Sequence, residues 1–302
     1  MTQHDENSSA FSAAASPSIA RRFWSSSWSR LVIYPLCFLI AVIGVLMCLE
    51  TSFIFFPNGP KQGDWNPEGL RFENVDFTST DGTRLHGWYV PHRRPRAVIL
   101  YCHGNAGNIT HRAEILKTLR DRVGASVFIF DYRGYGRSDG KPNESGILAD
   151  ARAARDWLAK REGIDSHDVV LLGRSLGGAV AVDLAAKDGT KGLILESTFT
   201  SIPDMASYRF SWLPVRPFIR TRLDSLSKIA DYHGSLLDSH GDADSIIPFE
   251  NGKQLFEAAN EPKKFIRLPG LDHNEPLPRS YYEEMIHFLD SLNENKTTKA
   301  SH

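Results

Sequence analysis

A serine set among glycines, Gly173-Arg174-Ser175-Leu176-Gly177 with Gly178 following, stands between the apolar run 169–172 and the helix-forming LGGAVAVDLAA. That order of strand, tight turn and helix leaves few folds open. Side chains at the flanking positions would collide with the neighbouring strand and helix, so glycines are required there. The serine between them is expected on a strained turn with its hydroxyl exposed. The five-residue pattern alone is weak: at about 7% each for Gly and Ser, roughly 0.1 chance matches fall in a chain of this length. Its bland alternative is a glycine-rich turn with a capping serine, and position in the chain decides between them.

The surroundings repeat the same alternation. Segments 72–78 and 84–90 alternate in polarity like two antiparallel strands joined at Asp81-Gly82. The runs 97–102 (AVILYC), 126–132 (SVFIFDY), 169–172, 193–195, 235–240 and 265–268 read as strands, the first nearly continuously apolar as expected of a strand covered on both faces. Helical spacing is predicted between them, over about 110–122, 143–162, 176–187, 249–259 and 279–292. This repetition predicts an α/β fold: a doubly wound, mostly parallel sheet with helices on both faces. About forty residues between 195 and 235 allow a short helical excursion, a partial cap rather than a full lid. Ligands in such sheets bind beyond the carboxyl ends of the strands.

Chemistry is expected at those ends. A serine hydroxyl becomes nucleophilic only when a base takes its proton. Of the eleven histidines, His273 lies on a loop after the last predicted strand and before the final helix. His4 and His302 fall in tails and His287 inside a helix; His240 ends a strand and reads as a packing or hydrogen-bonding residue. The histidine needs a carboxylate to fix its tautomer. Asp244 in His240-Gly241-Asp242-Ala243-Asp244 fits the chain order Ser, Asp, His. Asp242 reads as a turn cap, and Glu196 at the end of strand LILE is the other candidate. Backbone N–H donors for an oxyanion are expected from Leu176 and from Asn105 in the small-residue loop 103–108; His103 reads as a brace of that loop. Tyr208, Trp212 and Phe218 in the excursion offer an acyl pocket, or else form the excursion's own core.

The N-terminus is of another kind. Residues 31–49 (LVIYPLCFLIAVIGVLMCL) carry no charge and no amide side chain. Nineteen helical residues span roughly 28 Å, close to a hydrocarbon core of about 30 Å. The run is too long for a signal peptide's apolar region and has no small residues before a cleavage point. It is expected to be a transmembrane anchor in contact with a lipid bilayer, with Pro35 in its first turn. Arg21, Arg22 and Arg30 precede it and only Lys61 follows closely. This predicts a cytoplasmic N-terminus and a large domain on the other side. The expected organisation is a disordered tail over 1–30, the anchor over 31–49, a linker over 50–69, one domain over 70–292 and a disordered tail over 293–302.

Net charge is −1 with no block of like charges, which sets nucleic-acid binding aside. The three cysteines give no disulfide framework: Cys37 and Cys48 would be roughly 16 Å apart along one helix, and a bridge needs about 7 Å or less. Neither a metal-ligand spacing nor a dinucleotide fingerprint is present, so no cofactor is expected.

Taken together, HGNAGN at 103–108, DYRGYGRSDGKP at 131–142, GRSLGG at 173–178, ESTFTSIPDMA at 196–206, HGDAD at 240–244 and DHN at 272–274 resemble the α/β-hydrolase superfamily over about residues 70–292. Within it the chain resembles the membrane-anchored Bem46/ABHD13-like serine hydrolases. The resemblance implies that Ser175, Asp244 and His273 form the catalytic triad and that the Asp131–Ser138 loop lies nearby in a structural role. Asp272 stands where relatives more often carry a small residue; it either raises the basicity of His273 or faces solvent. The expected activity is hydrolysis of a small-molecule ester or thioester through an acyl-enzyme. A serine peptidase with the same residues is the alternative, and a non-catalytic anchored binding module the third.

Overall fold

Eight strands form one sheet in the order β1-β2-β4-β3-β5-β6-β7-β8. β1 (Glu73–Thr78) and β2 (Arg84–Val90) pair antiparallel, and β2 pairs antiparallel with β4 (Ser126–Phe130). From β4 onward every pairing is parallel, through β3 (Val98–Cys102), β5 (Val170–Arg174), β6 (Gly192–Glu196), β7 (Leu236–Gly241) and β8 (Lys263–Leu268). The computed structural model describes residues 27–300, with side chains from 30 to 294, Cys48 excepted. The chain divides between Cys48 and Leu49 into two units, which are described separately.

The apolar strands bury both faces. Leu100, Cys102, Phe128, Phe130 and Leu171 point to one side; Ile99, Tyr101, Val127, Ile129, Val170 and Leu172 point to the other. On the first side lie α3 (Glu144–Glu162), α4 (Leu176–Asp188), α6 (Ser225–Ile229) and α7 (Phe249–Ala258). On the second lie α2 (Ala113–Thr118) with the tighter and looser helical turns that flank it, and α8 (Arg279–Ala300). Alternate residues facing alternate layers is the period-2 consequence of a strand between two helix layers. The doubly wound sheet read from the sequence is therefore the observed one.

Between β6 and β7 the excursion contains α5 (Ile202–Arg209), a single turn at Arg216–Phe218, and α6. Two carboxylates fasten its returning strand of backbone. Glu50 Oε1 accepts from the N–H groups of Arg220 (2.9 Å) and Thr221 (2.7 Å), and Glu144 accepts from those of Arg222 (2.6 Å) and Leu223 (3.0 Å). Four successive amides are thus held by two side chains, offsetting the strain of Leu223 at φ 38°.

The stretch 50–69, expected to be a linker, is instead packed into the domain. Phe55 is buried in the core, Pro57 bridges to Gly107, and Gly136 N donates to Asn58 O at 2.8 Å. Trp65 sets its ring edge-on to that of Trp88. These apolar side chains gain burial that a solvated linker would forgo. At the other end α8 continues to Ala300, so most of the expected tail 293–302 is helical. Of the expected tail 1–30, residues 1–26 lie outside the described residues.

In the N-terminal unit, helix α1 begins at Ser27 and runs to Ile54 in the next unit. Its residues 30–47 have a mean hydropathy of 2.4 and none of them is buried. Because the helix starts before Leu31, Pro35 lies in its interior rather than its first turn.

Candidate active site

Ser175 joins β5 to α4 with φ 53° and ψ −118°, a left-handed conformation that side chains avoid. The surrounding contacts over-determine it. Its N–H donates to Glu196 O (2.9 Å), and its carbonyl accepts from Gly178 N (2.9 Å) and Thr198 Oγ1 (2.8 Å). A Cβ on Gly173 would lie 2.4 Å from Gly177 O, and one on Gly177 would lie 1.9 Å from Cys102 O. Both are backbone obstacles, so the two glycines are what let β5, the turn and α4 close on β3.

His273 follows β8 and is almost fully buried. Its Nδ1 lies 2.7 Å from Asp244 Oδ2, which follows β7. With the N–H on Nδ1 donating to the carboxylate, Nε2 is left as the proton acceptor. Asp244 accepts more than this one bond. Its Oδ1 takes the N–H groups of Ile246 (2.9 Å) and Ile247 (2.7 Å), and His240 Nε2 stands 3.4 Å from Oδ2. Burial opposes ionisation of Asp244, but the hydrogen bonds from His240, His273 and Ile247 outweigh it and hold the carboxyl well below the ordinary carboxylate range. His240 also lies 2.9 Å from Ile247 O. Of the two readings of His240, packing or hydrogen bonding, the second is the observed one: its ring stands beside the same carboxylate as that of His273.

The other acids are occupied elsewhere. Asp242 accepts from Arg267 Nε (2.8 Å) and Gly270 N (2.6 Å), bracing the turn after β8. Asp272 Oδ1 accepts from His273 N, Ser245 N and Ser245 Oγ, all within 2.8 Å, and so ties the Asp244 loop to the His273 loop. Glu196 is buried and accepts from Tyr281 Oη at 2.7 Å, with Arg174 at 3.9 Å. Burial pushes its carboxyl upward against the pull of Arg174. Arg174 Nη2 donates to His273 O at 2.6 Å. The residue before Ser175 thus holds the backbone of His273, a link of 99 positions that no local pattern signals.

The loop 103–108 is equally tied down. Asn105 Nδ2 donates to Ile54 O (2.5 Å); its Oδ1 accepts from Phe56 N (3.1 Å) and Tyr135 Oη (2.7 Å). The Asn105 side chain is a structural clamp, which leaves its backbone for any role toward a substrate. Gly104 backs directly onto Ser175, whose Cβ is 3.5 Å from where a Gly104 Cβ would stand. His103 is fully buried with Nδ1 2.7 Å from Gly104 O, and burial lowers it to about 3. Nearby Asp131 is raised to about 7 by burial, against the N–H groups of Ile109 and Arg137. His103 therefore braces the loop as a neutral ring.

Tyr208, Trp212 and Phe218 were candidates for an acyl pocket. They are 63%, 79% and 42% exposed, so they line no enclosed pocket and do not form the excursion's core. The excursion is too short to fold back over its own aromatic side chains. Among the described residues no group of three or more His, Cys, Asp or Glu is arranged to hold a metal ion.

Comparisons with known proteins agree with this fold. A family model described as "Serine aminopeptidase, S33" matches residues 93–231. The uncharacterized protein Rv2307c of Mycobacterium tuberculosis is 37% identical over 252 residues, 80% of this chain and 88% of its own length. The α/β-hydrolase domain-containing protein WAV2 of Arabidopsis thaliana is 32% identical over 83% of this chain and 91% of its own, and bem46 of Schizosaccharomyces pombe 31% over 83% and 89%. Among solved structures, the esterase Pf2001 of Pyrococcus furiosus superposes with a TM-score of 0.65 at 18% identity, over 78% of this chain and 98% of its own. The chain belongs to the α/β-hydrolase superfamily and, within it, to the Bem46-like group; it is a hydrolase.

Proposed function

We propose that this chain is a membrane-anchored serine hydrolase that cleaves a carboxylic ester or thioester through an acyl-enzyme. The observation that carries the reading is the 2.7 Å Asp244–His273 hydrogen bond, on loops beyond the same strand ends as the strained Ser175 turn. In the first half-reaction Ser175 Oγ attacks the carbonyl carbon while His273 Nε2 takes its proton. The oxyanion is held by the N–H groups of Leu176 and Asn105. Collapse breaks the bond to the alcohol or thiol, which leaves with the proton from His273. Water then attacks the acyl-enzyme with His273 again as base, and the carboxylic acid departs as Ser175 recovers its proton.

Asp244, held below its ordinary range, stays ionised and stabilises the imidazolium in both halves. The esterase Pf2001 shares the fold and supports the ester reading. The serine aminopeptidase description of the matching family model favours a second reading, cleavage of an aminoacyl amide. Anchoring rests on the unburied apolar residues of α1, and the arginines before it favour a domain on the non-cytoplasmic side.

The test is p-nitrophenyl butyrate hydrolysis together with fluorophosphonate labelling of the full chain. Ser175→Ala should lose labelling and about 10⁶-fold in kcat, as for comparable nucleophiles. Equal rates in the variant would remove Ser175 from the mechanism. Faster turnover of any aminoacyl or dipeptidyl amide than of the best C2 to C12 ester would decide for the peptidase.

A further inference from the structure

The segment from Met205 to Leu223 contains no acidic residue and four arginines, Arg209, Arg216, Arg220 and Arg222. All four are exposed, and among the described residues only Arg216 is paired to an acid, Asp204. Between them Tyr208, Phe210, Trp212, Leu213 and Phe218 are each more than two-fifths exposed. Isolated apolar side chains on a surface need no explanation, but five within eleven residues do. Aromatic rings interleaved with arginines and free of acids form the composition of a bilayer interface, where a ring lies at headgroup depth and a guanidinium meets phosphate.

A second observation says which surface this segment meets. Glu50 follows the last residue of the uncharged run by one position, and its carboxylate holds the N–H groups of Arg220 and Thr221. Chain connectivity therefore keeps the excursion within hydrogen-bond reach of the end of the span, whatever the angle of the helix. Phe53, one turn beyond Glu50, and Phe56 are exposed as well. We propose that residues 208–220, together with Phe53 and Phe56, dock on the surface of the bilayer that holds the anchor, so that the excursion's aromatics face lipid rather than substrate. This rests on the anchoring reading above. The occupant is a phospholipid surface, favoured when anionic lipid is present to meet the arginines.

Tryptophan fluorescence tests it. The full chain is reconstituted in phosphatidylcholine vesicles containing phosphatidylglycerol, with and without bromine on the acyl chains, and vesicle association is checked by flotation. The difference between wild type and Trp212→Phe isolates Trp212 from the other five tryptophans. For a ring about 5–10 Å into the headgroup and acyl boundary, brominated lipid should reduce that component about two-fold. Phe218→Trp in the Trp212→Phe background should restore a quenchable component, which guards against a misfolded single variant. Protein that floats with vesicles while its Trp212 component is the same in both lipids overturns the docking and leaves the anchor standing. A component shielded from aqueous iodide yet untouched by bromine means a second copy of the chain covers the patch, and overturns it too. Protein that fails to float overturns anchor and docking together.

Discussion

The carboxylate of Asp244 takes two backbone N–H groups on one oxygen and an imidazole on the other, with a second imidazole 3.4 Å away. Asp244→Asn should therefore cost about 10⁴ in kcat, as for comparable carboxylates that orient a histidine. Asp242→Asn and Glu196→Gln should cost far less, because their partners are Arg267 and Tyr281. If Glu196→Gln were the most damaging of the three, the acid of the site would be Glu196. A second expectation concerns the buried pair His103 and Asp131, 3.9 Å apart. His103 falls from 6.5 to about 3, so between those values the unfolded chain holds a proton that the folded ring does not, and stability drops as pH falls. Asp131 rises from 3.8 to about 7, so there the folded state holds the extra proton, and stability drops as pH rises. In the shared window the two slopes cancel. His103→Asn should leave the Asp131 slope and Asp131→Asn the His103 slope, opposite in sign to each other and each up to about 1.4 kcal/mol per pH unit relative to wild type. Urea unfolding at several pH values across the window measures this; slopes of the same sign would contradict it.

At the scale of elements, the site depends on how closely α4 approaches β3. A methyl on Gly177 would meet the Cys102 carbonyl at 1.9 Å, and a strand carbonyl paired in a central sheet has nowhere to go. Gly177→Ala should destabilise the domain by about 3 kcal/mol, the upper range for overpacking a closed site. A thermal melt unchanged by the substitution would mean the turn relaxes freely. This approach was legible in the sequence, because glycines on both sides of Ser175 are a local pattern. So were all eight strands, and the chain order Ser, Asp, His picks out two residues, Asp244 and His273, that the structure brings within 2.7 Å of each other. What local pattern does not carry is a partner far along the chain. Arg174 reaches the carbonyl of His273, Asn105 clamps Ile54 and Phe56, and Glu50 holds amides 170 positions away. The same limit misplaced the aromatics of the excursion: their composition was plain, but whether a short segment folds inward depends on the length available to cover them. The linker expected over residues 50–69 instead buries Phe55 in the core.

For the whole molecule, the arginines at 21, 22 and 30 and the uncharged run after them fix an expected orientation. Protease added to intact spheroplasts should cut the chain beyond residue 60. Cleavage there only after lysis would reverse the topology. The clamp formed by Glu50 and Glu144 bears on how such a molecule tolerates change. It anchors the excursion at residues 220–223, directly before the chain returns through α6 to β7. Lengthening the stretch between α5 and that anchor point adds closure entropy only slowly, about 0.6 kcal/mol per doubling. The added residues would pull on four hydrogen-bonded amides rather than on β7 and the Asp244 loop that follows it. Insertions and deletions in this surface segment should therefore leave the register of the sheet undisturbed, so long as they spare the aromatic and arginine side chains proposed to meet lipid.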